Sequence, residues 1–273
     1  MPTALDLRAL ALEMKTAQDS ARQVVPFTSR LPDFDLPLAY EVANLVHRAR
    51  VAEGARPVGR KIGFTNPDMW DRFGVRKPIW AYIYDTTVVR LDGTRTTCHL
   101  GRFAEPRIEP EIVFGFRASL RAGAGLAEVL NAIDWVAHGF EIVQSHFPGW
   151  KFQAPDTVAD WALHGTLLVG PPQPLARLGA DVMAALESFT LALSCGDHHV
   201  ETGKGSNVLG SPLSAITHLL AVLATQPEHE PLQAGEIVTT GTITTAQSVS
   251  AGETWRSEVQ GIGLPGLTVD FFD

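Results

Sequence analysis

The sequence predicts an α+β fold in which helices gather before residue 60 and strands dominate after residue 100. Two observations carry this. Apolar residues recur at helical spacing in two early segments, and short runs rich in β-branched and aromatic residues, bounded by Gly, Pro, Asn or Asp, recur later. No internal repeat, low-complexity tract or heptad pattern interrupts them.

In chain order, residues 4–23 read as a helix with a weak apolar stripe of Leu7, Leu10, Leu12 and Met14. The stretch from Val24 to Asp35 contains Pro and is irregular. From Pro37 to Gly54, Ala39, Val42, Val46 and Ala49 keep helical spacing, with Gly54 as a stop. Arg60 to Thr65 reads as a short strand closed by Asn66-Pro67, and 81–84 and 86–89 read as β structure. Leu126, Val129, Leu130, Ile133 and Val136 mark another amphipathic helix with Gly139 just past its end, after which Phe140-Glu141-Ile142-Val143 resumes as strand. Further strands are expected at 166–169, 189–195, 199–202, 237–242 and 267–272. Ser211-Pro212 opens a helix through Leu213, Ile216, Leu219, Leu220 and Leu223, with Ser as N-cap and Pro at the first position.

The chain has 273 residues, 45% hydrophobic and 19% charged, enough for one large domain or two unequal ones. Its net charge of −8, with no block of Lys or Arg, argues against a nucleic-acid or anionic-membrane partner. Two cysteines, Cys98 and Cys195, give neither a disulfide framework nor a zinc pattern. No signal-peptide pattern and no apolar stretch approaching 18 residues is read, so a cytoplasmic location is the expectation.

The most informative residues are Glu109-Pro110-Glu111 in the run Arg107 to Phe114. On a strand, residues i and i+2 share a face roughly 7 Å apart along the backbone. Core-type flanks (Ile108, Ile112, Val113, Phe114) place both acids near low-dielectric surroundings, where two carboxylates repel unless a cation joins them. A hard divalent ion answers that need, because Mg²⁺ and Mn²⁺ prefer oxygen ligands. The competing reading is an exposed edge strand with two solvated acids, which Pro110 suits because it cannot donate to a ladder.

Glu141, read as lying near a sheet end, supplies a third carboxylate beside that pair or is a solvated strand end. Lys61 is either a snorkelling surface lysine or, beside a metal site, a group that binds a substrate carboxylate or transfers protons. Thr65 adds a hydroxyl nearby. His138, His146 and His164 are the histidines nearest the second acidic segment. His138 is expected to complement a helix dipole, and His146 precedes an aromatic loop that would close over a small site. Asp156 and Asp160 are helix caps or orienting partners. Gly203-Lys204-Gly205-Ser206 is a poor phosphate loop, with His198 where its first Gly belongs. Thr239-Thr240-Gly241-Thr242 ends a strand in hydroxyls, either a carboxylate-binding element or an ordinary turn.

Taken together these residues resemble the fumarylacetoacetate hydrolase superfamily, in particular its 2-oxopent-4-enoate hydratase and 2-oxo-3-hexenedioate decarboxylase branch. The matching segments, in family order, are 59–65, 108–112, 140–143, 156–160, 208–213 and 235–242, covering most of the chain from about residue 36. The resemblance implies a β-rich, mixed-sheet catalytic domain, taken as 73–273, behind a smaller N-terminal helical region, 1–72. It implies Mg²⁺ or Mn²⁺ held by Glu109, Glu111 and Glu141. It also implies Lys61 as an active-site lysine and substrate contact by Thr240, Gly241 and Thr242, together with a homo-oligomeric assembly. A 2-oxo acid would chelate the metal, which would stabilise an enolate as a Lewis acid. The chain departs from the family pattern at Ile79, where an acid is usual, at Gln144-Ser145-His146 for Asp-Ser-Arg, and at Asp160-Trp161 for Asp-Asn.

Three functions are consistent with this reading. The first is a lyase that hydrates or decarboxylates a small unsaturated 2-oxo acid. The second is a C–C hydrolase of an acylpyruvate, which needs a base to activate water, with His146 as the candidate; Lys61, His146 and Asp160 are the candidate catalytic residues. The third is a non-catalytic member that binds metal and 2-oxo acid or stabilises an enzyme partner.

Overall fold

The structure, a computed structural model, describes residues 6–67 and 70–273. Three helices come first: α1 (Leu7–Ser20), α2 (Phe27–Arg30) and α3 (Leu36–Ala52). Asp6 caps α1 by accepting from the backbone N–H of Arg8 and Ala9, and Asp35 caps α3 by accepting from Leu38 N–H. Strand β1 (Pro57–Gly63), the short α4 (Trp70–Phe73), β2 (Ile79–Tyr84), β3 (Val88–Arg90), β4 (Arg95–His99) and β5 (Arg107–Phe116) follow. Next come α5 (Leu126–Ala132), β6 (Ile133–Val143), α6 (Ala154–Ala159), β7 (His164–Val169), β8 (Gln173–Pro174) and α7 (Val182–Ser188). The chain ends with β9 (Thr190–Cys195), β10 (His198–Lys204), α8 (Pro212–Leu223), β11 (Ile237–Thr242), β12 (Gln247–Ser248), β13 (Thr254–Gln260) and β14 (Thr268–Phe272).

The strands form a large sheet ordered β2-β1-β11-β5-β6-β7-β3, with β12 beside β5 and β8 beside β6, and a small sheet ordered β10-β9-β13-β14-β4. Both are mixed: β1/β11, β3/β7 and β4/β14 are parallel, and the other pairs are antiparallel. The main core lies between them. Ile112, Phe114, Phe140 and Ile142 from the large sheet meet Leu191, Leu193, Trp255 and Val269 from the small one, together with α8. The opposite face divides in two. An apolar half (Ile83, Val113, Ala137, Leu167, Val169, Ile237) forms its own cluster. The N-terminal helices pack Met14, Phe27, Ala39 and Val42 against Ile79, Ala81, Phe147 and Val158.

Several expectations change. The segment read as a helix through Val136 ends at Ala132, and Ile133 already belongs to an 11-residue strand. Pairing with β5 wins there, since Trp135, Val136 and Ala137 lie opposite Gly115, Phe114 and Val113, and local helical spacing yields to that tertiary contact. Gly139 is therefore a mid-strand residue rather than a helix stop, and His138 cannot complement a helix end. The edge-strand reading of Pro110 also fails, because β5 is central, flanked by β11 and β6. The Pro is tolerated because β11 loses its regular register opposite it, between Thr239 and Thr242. Residues 57–63, within the expected N-terminal region, form the second strand of the large sheet, so the helical part spans Leu7–Ala52. Gly205–Leu223 is long and apolar enough by composition to cross a membrane, contrary to the reading of no such stretch. Its helix α8 instead buries Leu213, Ala215, Ile216, Leu219 and Leu220 in the core.

One polar contact pins the sheets together. His138 Nδ1 lies 3.0 Å from Glu111 O and its Nε2 lies 2.7 Å from Ser257 Oγ on β13. A carbonyl only accepts, so Nδ1 carries the proton and Nε2 takes one from Ser257, which in turn accepts from Leu267 N–H at 2.9 Å. Burial pushes His138 down to about 4, so the ring is neutral near pH 7. Replacing Ser257 with Ala should leave a buried imidazole acceptor unpaired and lower unfolding free energy by about 1–3 kcal/mol. Urea melts of the variant and the parent at pH 7.5 check this, and a midpoint equal to the parent's would refute the bridging role.

Candidate metal centre

The register of β5 on β6 builds the site. Glu109 lies directly opposite Glu141 and Glu111 opposite Gly139, so the three carboxylates share one face of the large sheet. One donor oxygen from each lies within 4.8 Å of the others. Glu111 and Glu141 are fully buried and Glu109 partly so. Gly139 keeps the face open beneath Glu111: a Cβ there would stand 2.9 Å from Leu168 O and 3.1 Å from Val113 Cγ2.

Strand β11 holds Glu111 from the other side. Gly241 N–H donates to Glu111 Oε2 at 2.8 Å, and Thr239 Oγ1 donates to the same oxygen. The broken register at 240–241 is what turns that N–H away from the ladder and toward the carboxylate. It requires φ of +101° at Gly241, and a Cβ at that position would collide with the Thr65 hydroxyl. Glu111 Oε1 is buried and has no hydrogen-bond partner among the described residues. The hydroxyl of Thr242, opposite Glu111, is likewise buried and unpartnered among them, whereas Thr240 Oγ1 donates to Ile112 O at 3.0 Å.

Glu141 is held at both oxygens. Lys61 Nζ, from β1, lies 3.0 Å from Oε2, and His164 Nδ1 lies 2.6 Å from Oε1. These contacts fix the ionisation pattern. Burial opposes charge on Glu141, but Lys61 and His164 outweigh it and draw the carboxyl down to about 2. Burial likewise opposes charge on Lys61, and Glu141, Glu109 and Glu111 overcome it and hold the ammonium above its ordinary value. Glu109 is pushed up to about 7 by burial, with Glu141 adding to the push. Glu111 rises well above the carboxylate range through burial and its two acidic neighbours.

His146 and Asp160 form a second buried pair. Asp160 Oδ1 lies 2.7 Å from His146 Nδ1, and Oδ2 accepts from His146 N–H at 3.0 Å. Their further bond runs to Gln18 on α1 rather than to the three acids. With Nδ1–H given to Asp160, His146 Nε2 is left as an acceptor with no partner among the described residues. Asp156 serves α6 and α2, accepting from Gln153 N–H and from Thr28 N–H and Oγ1. Ile79, where the resemblance expects an acid, packs in the N-terminal core.

The structure thus brings Lys61, Glu109, Glu111, Glu141, Gly241 and Thr65 together. Two neighbours were named in the sequence reading, but neither was assigned to the three acids. Thr239 sits in a strand read as ending in hydroxyls, but which hydroxyl faces the acids depends on the β11–β5 register. His164 meets Glu141 across a β6–β7 pairing whose register shifts between Ile142 and Val143, which no local pattern announces.

Comparisons with known proteins give the chain its relatives. The chain is 32% identical over 256 residues, 93% of its length and 94% of the other's, to 2-keto-4-pentenoate hydratase 2 of Dechloromonas aromatica (strain RCB). It is 30% identical over 255 residues, 93% of each chain, to 4-oxalocrotonate decarboxylase of Pseudomonas sp. (strain CF600). Among solved structures it superposes on 4-oxalocrotonate decarboxylase from Pseudomonas putida G7, complexed with magnesium and adipate. That match has a TM-score of 0.88 at 29% identity and covers 100% of this chain and 99% of that one. The sequence model for the fumarylacetoacetate (FAA) hydrolase C-terminal family matches residues 66–269, and this chain belongs to that family.

Proposed function

We propose that this protein is a divalent-metal lyase that hydrates or decarboxylates a small unsaturated 2-oxo acid. The observation that carries this is the cluster of three carboxylates on one sheet face, faced by a single buried ammonium, in a chain about 30% identical over nine-tenths of its length to hydratases and decarboxylases. The donor set fits a hard cation. It is all oxygen, it carries more negative charge than Lys61 neutralises, and Glu111 Oε1 is a buried acceptor awaiting a partner. Glu109, Glu111 and Glu141 would hold Mg²⁺ or Mn²⁺. When bound, the ion supplies Lewis acidity that favours enolate character in a 2-oxo acid.

The chain's own groups do the rest. Lys61 stays protonated beside Glu141, so it acts as a cation and proton donor, paired with a substrate carboxylate or with a carbon that gains a proton. Thr65 and Gly241 wall the site beside Glu111, and the free Thr242 hydroxyl offers a substrate hydrogen bond. Thr240, whose hydroxyl serves Ile112 O, contributes through its backbone. His146, aligned by Asp160, presents Nε2 as a proton acceptor. That last feature favours C–C hydrolysis of an acylpyruvate as the second reading, since hydrolysis requires a base to activate water. A homo-oligomeric assembly and a cytoplasmic location complete the proposal on family resemblance.

Purified protein incubated with Mg²⁺ and a panel of 2-oxo acids, following dienol absorbance, CO₂ and pyruvate, should show hydration or decarboxylation. The double variant Glu109→Gln, Glu111→Gln should lose at least 100-fold in turnover, and turnover that survives it would sink the metal mechanism. Cleavage to pyruvate that is lost in His146→Ala would establish the hydrolytic reading instead.

A second expectation concerns pH. Burial raises Glu109 to about 7, so below that pH a proton occupies the carboxylate that the cation needs. Mn²⁺ affinity should therefore rise from pH 6 to pH 8, by roughly tenfold for each competing proton, with proton uptake by buffer during the titration. Calorimetry in two buffers of different ionisation enthalpy measures both, and a pH-independent affinity would contradict it.

A further inference from the structure

We propose that His164, locked by Thr87, is the positioning residue that fixes Glu141 for cation binding. The inference rests on the metal reading above and extends it to a residue outside the three-acid cluster, contributed by a different strand.

The observation is a buried chain of contacts, Glu141–His164–Thr87. His164 Nδ1 stands 2.6 Å from Glu141 Oε1, and His164 Nε2 stands 2.9 Å from Thr87 Oγ1. An ionised carboxylate only accepts, so Nδ1–H donates to Glu141, and in the neutral ring Nε2 accepts the one Thr87 hydroxyl proton at 2.9 Å, ahead of Tyr84 O, which lies 3.2 Å from the same oxygen. The tautomer is set by the partners at each end.

Thr87 is itself held by backbone hydrogen bonds. It lies in the turn between β2 and β3, where its N–H donates to Tyr84 O at 3.0 Å. Its carbonyl accepts from Leu167 N–H at 2.9 Å and from Thr166 Oγ1 at 2.8 Å, both on β7, the strand that His164 begins. The ring of Trp161 stands edge-on to the imidazole at 5.0 Å. Both ring nitrogens and one ring surface are thereby fixed, so the imidazole has no alternative pose that satisfies its partners.

This matters because Glu141 has a competing tether. Lys61 holds Oε2 at 3.0 Å, and any carboxylate bound only there could swing about that contact. A second donor at Oε1 fixes the carboxylate plane and leaves each oxygen a further lone pair, with one donor oxygen each of Glu109, Glu111 and Glu141 within 4.8 Å of the others. Outer partners of this kind typically tune metal affinity by 10–100-fold.

The test uses metal-free protein and Mn²⁺ alone, with binding read by titration calorimetry or by loss of the free-ion electron paramagnetic resonance signal. His164→Leu removes the donor and should weaken Mn²⁺ binding 10–100-fold. His164→Asn places an amide N–H near the position of Nδ1 and should restore affinity to within about threefold of the parent, whereas His164→Gln, with its donor one carbon further out, should not. Thr87→Val, which keeps shape and removes the hydroxyl, should weaken binding by a smaller factor. Near-ultraviolet circular dichroism confirms that each variant is folded. Parent-like affinity in His164→Leu, or equal loss in the Leu and Asn variants, would overturn the positioning role. Glu141→Gln serves as the reference: if it binds Mn²⁺ as the parent does, the metal reading itself falls, and if it loses binding while His164→Leu does not, only this inference falls.

Discussion

The antiparallel register of β5 on β6 is the constraint on which the rest depends. It sets Glu109 opposite Glu141 and puts Glu111 on the same face, with one donor oxygen from each within 4.8 Å of the others. At that spacing each ionised pair repels by about 3 kcal/mol for an effective dielectric near 20, so three charges exceed what a single ammonium offsets. The protein resolves the excess unevenly. Glu141 takes the lysine and the histidine and stays charged, while burial and the acidic neighbours push Glu109 up to about 7 and Glu111 well above the carboxylate range, so that protons compete with a cation there. A slip of one residue by β5 would turn Glu109 and Glu111 into the core between the sheets and leave Glu141 behind on the other face, so the burial of Ile112 and Phe114 on the core side also enforces the site.

The rigidity of that arrangement comes from bonds on every side of it. Beneath Glu111, His138 joins the large sheet to Ser257 of the small one. Beside it, β11 breaks register so that one backbone N–H and one hydroxyl meet the carboxylate. These supports lie on strands, where backbone position is fixed by two neighbours, and sites built that way hold tighter geometry than sites on loops. The helical layer contributes as well, since α3 holds Gln18 through Arg50, and Gln18 reaches Asp160 beside His146.

Much of this was legible in the sequence because it depends on spacing within one element. The i, i+2 acids, the Ser211 cap of α8, the early helices and the lysine strand are local patterns. What was not legible depends on which strand meets which. Trp135 and Val136 read as helix because the periodicity of Val129 to Val136 carries no trace of β5 across the sheet. Pro110 read as an edge residue because its tolerance comes from an irregularity on another strand, 130 positions away. Thr239 could not be told from Thr240 as the inward hydroxyl until pairing decided it, and His164 gained its meaning from a register shift. Function followed the same division: oxygen-ligand chemistry was visible in residue types, and the hydrogen-bonded shell that orients it was not.

The segment that joins the two histidine pairs shows how far the fold goes to place them. Between Asp160, partner of His146, and His164, partner of Glu141, the three residues Trp161, Ala162 and Leu163 all have positive φ, at 55°, 48° and 65°. None is glycine, and left-handed backbone costs about 1–2 kcal/mol for each such residue. A turn of that kind survives only where its surroundings over-determine it. Here they do. Leu163 N–H returns to Asp160 O at 2.7 Å, and Leu163 O accepts from Gln144 N–H at 2.9 Å. The Trp161 indole donates to Tyr82 O at 2.6 Å while Arg50 lies 4.5 Å over its ring. The strained turn reverses the chain within three residues, so that one short segment delivers an acid to one histidine and a histidine to one acid.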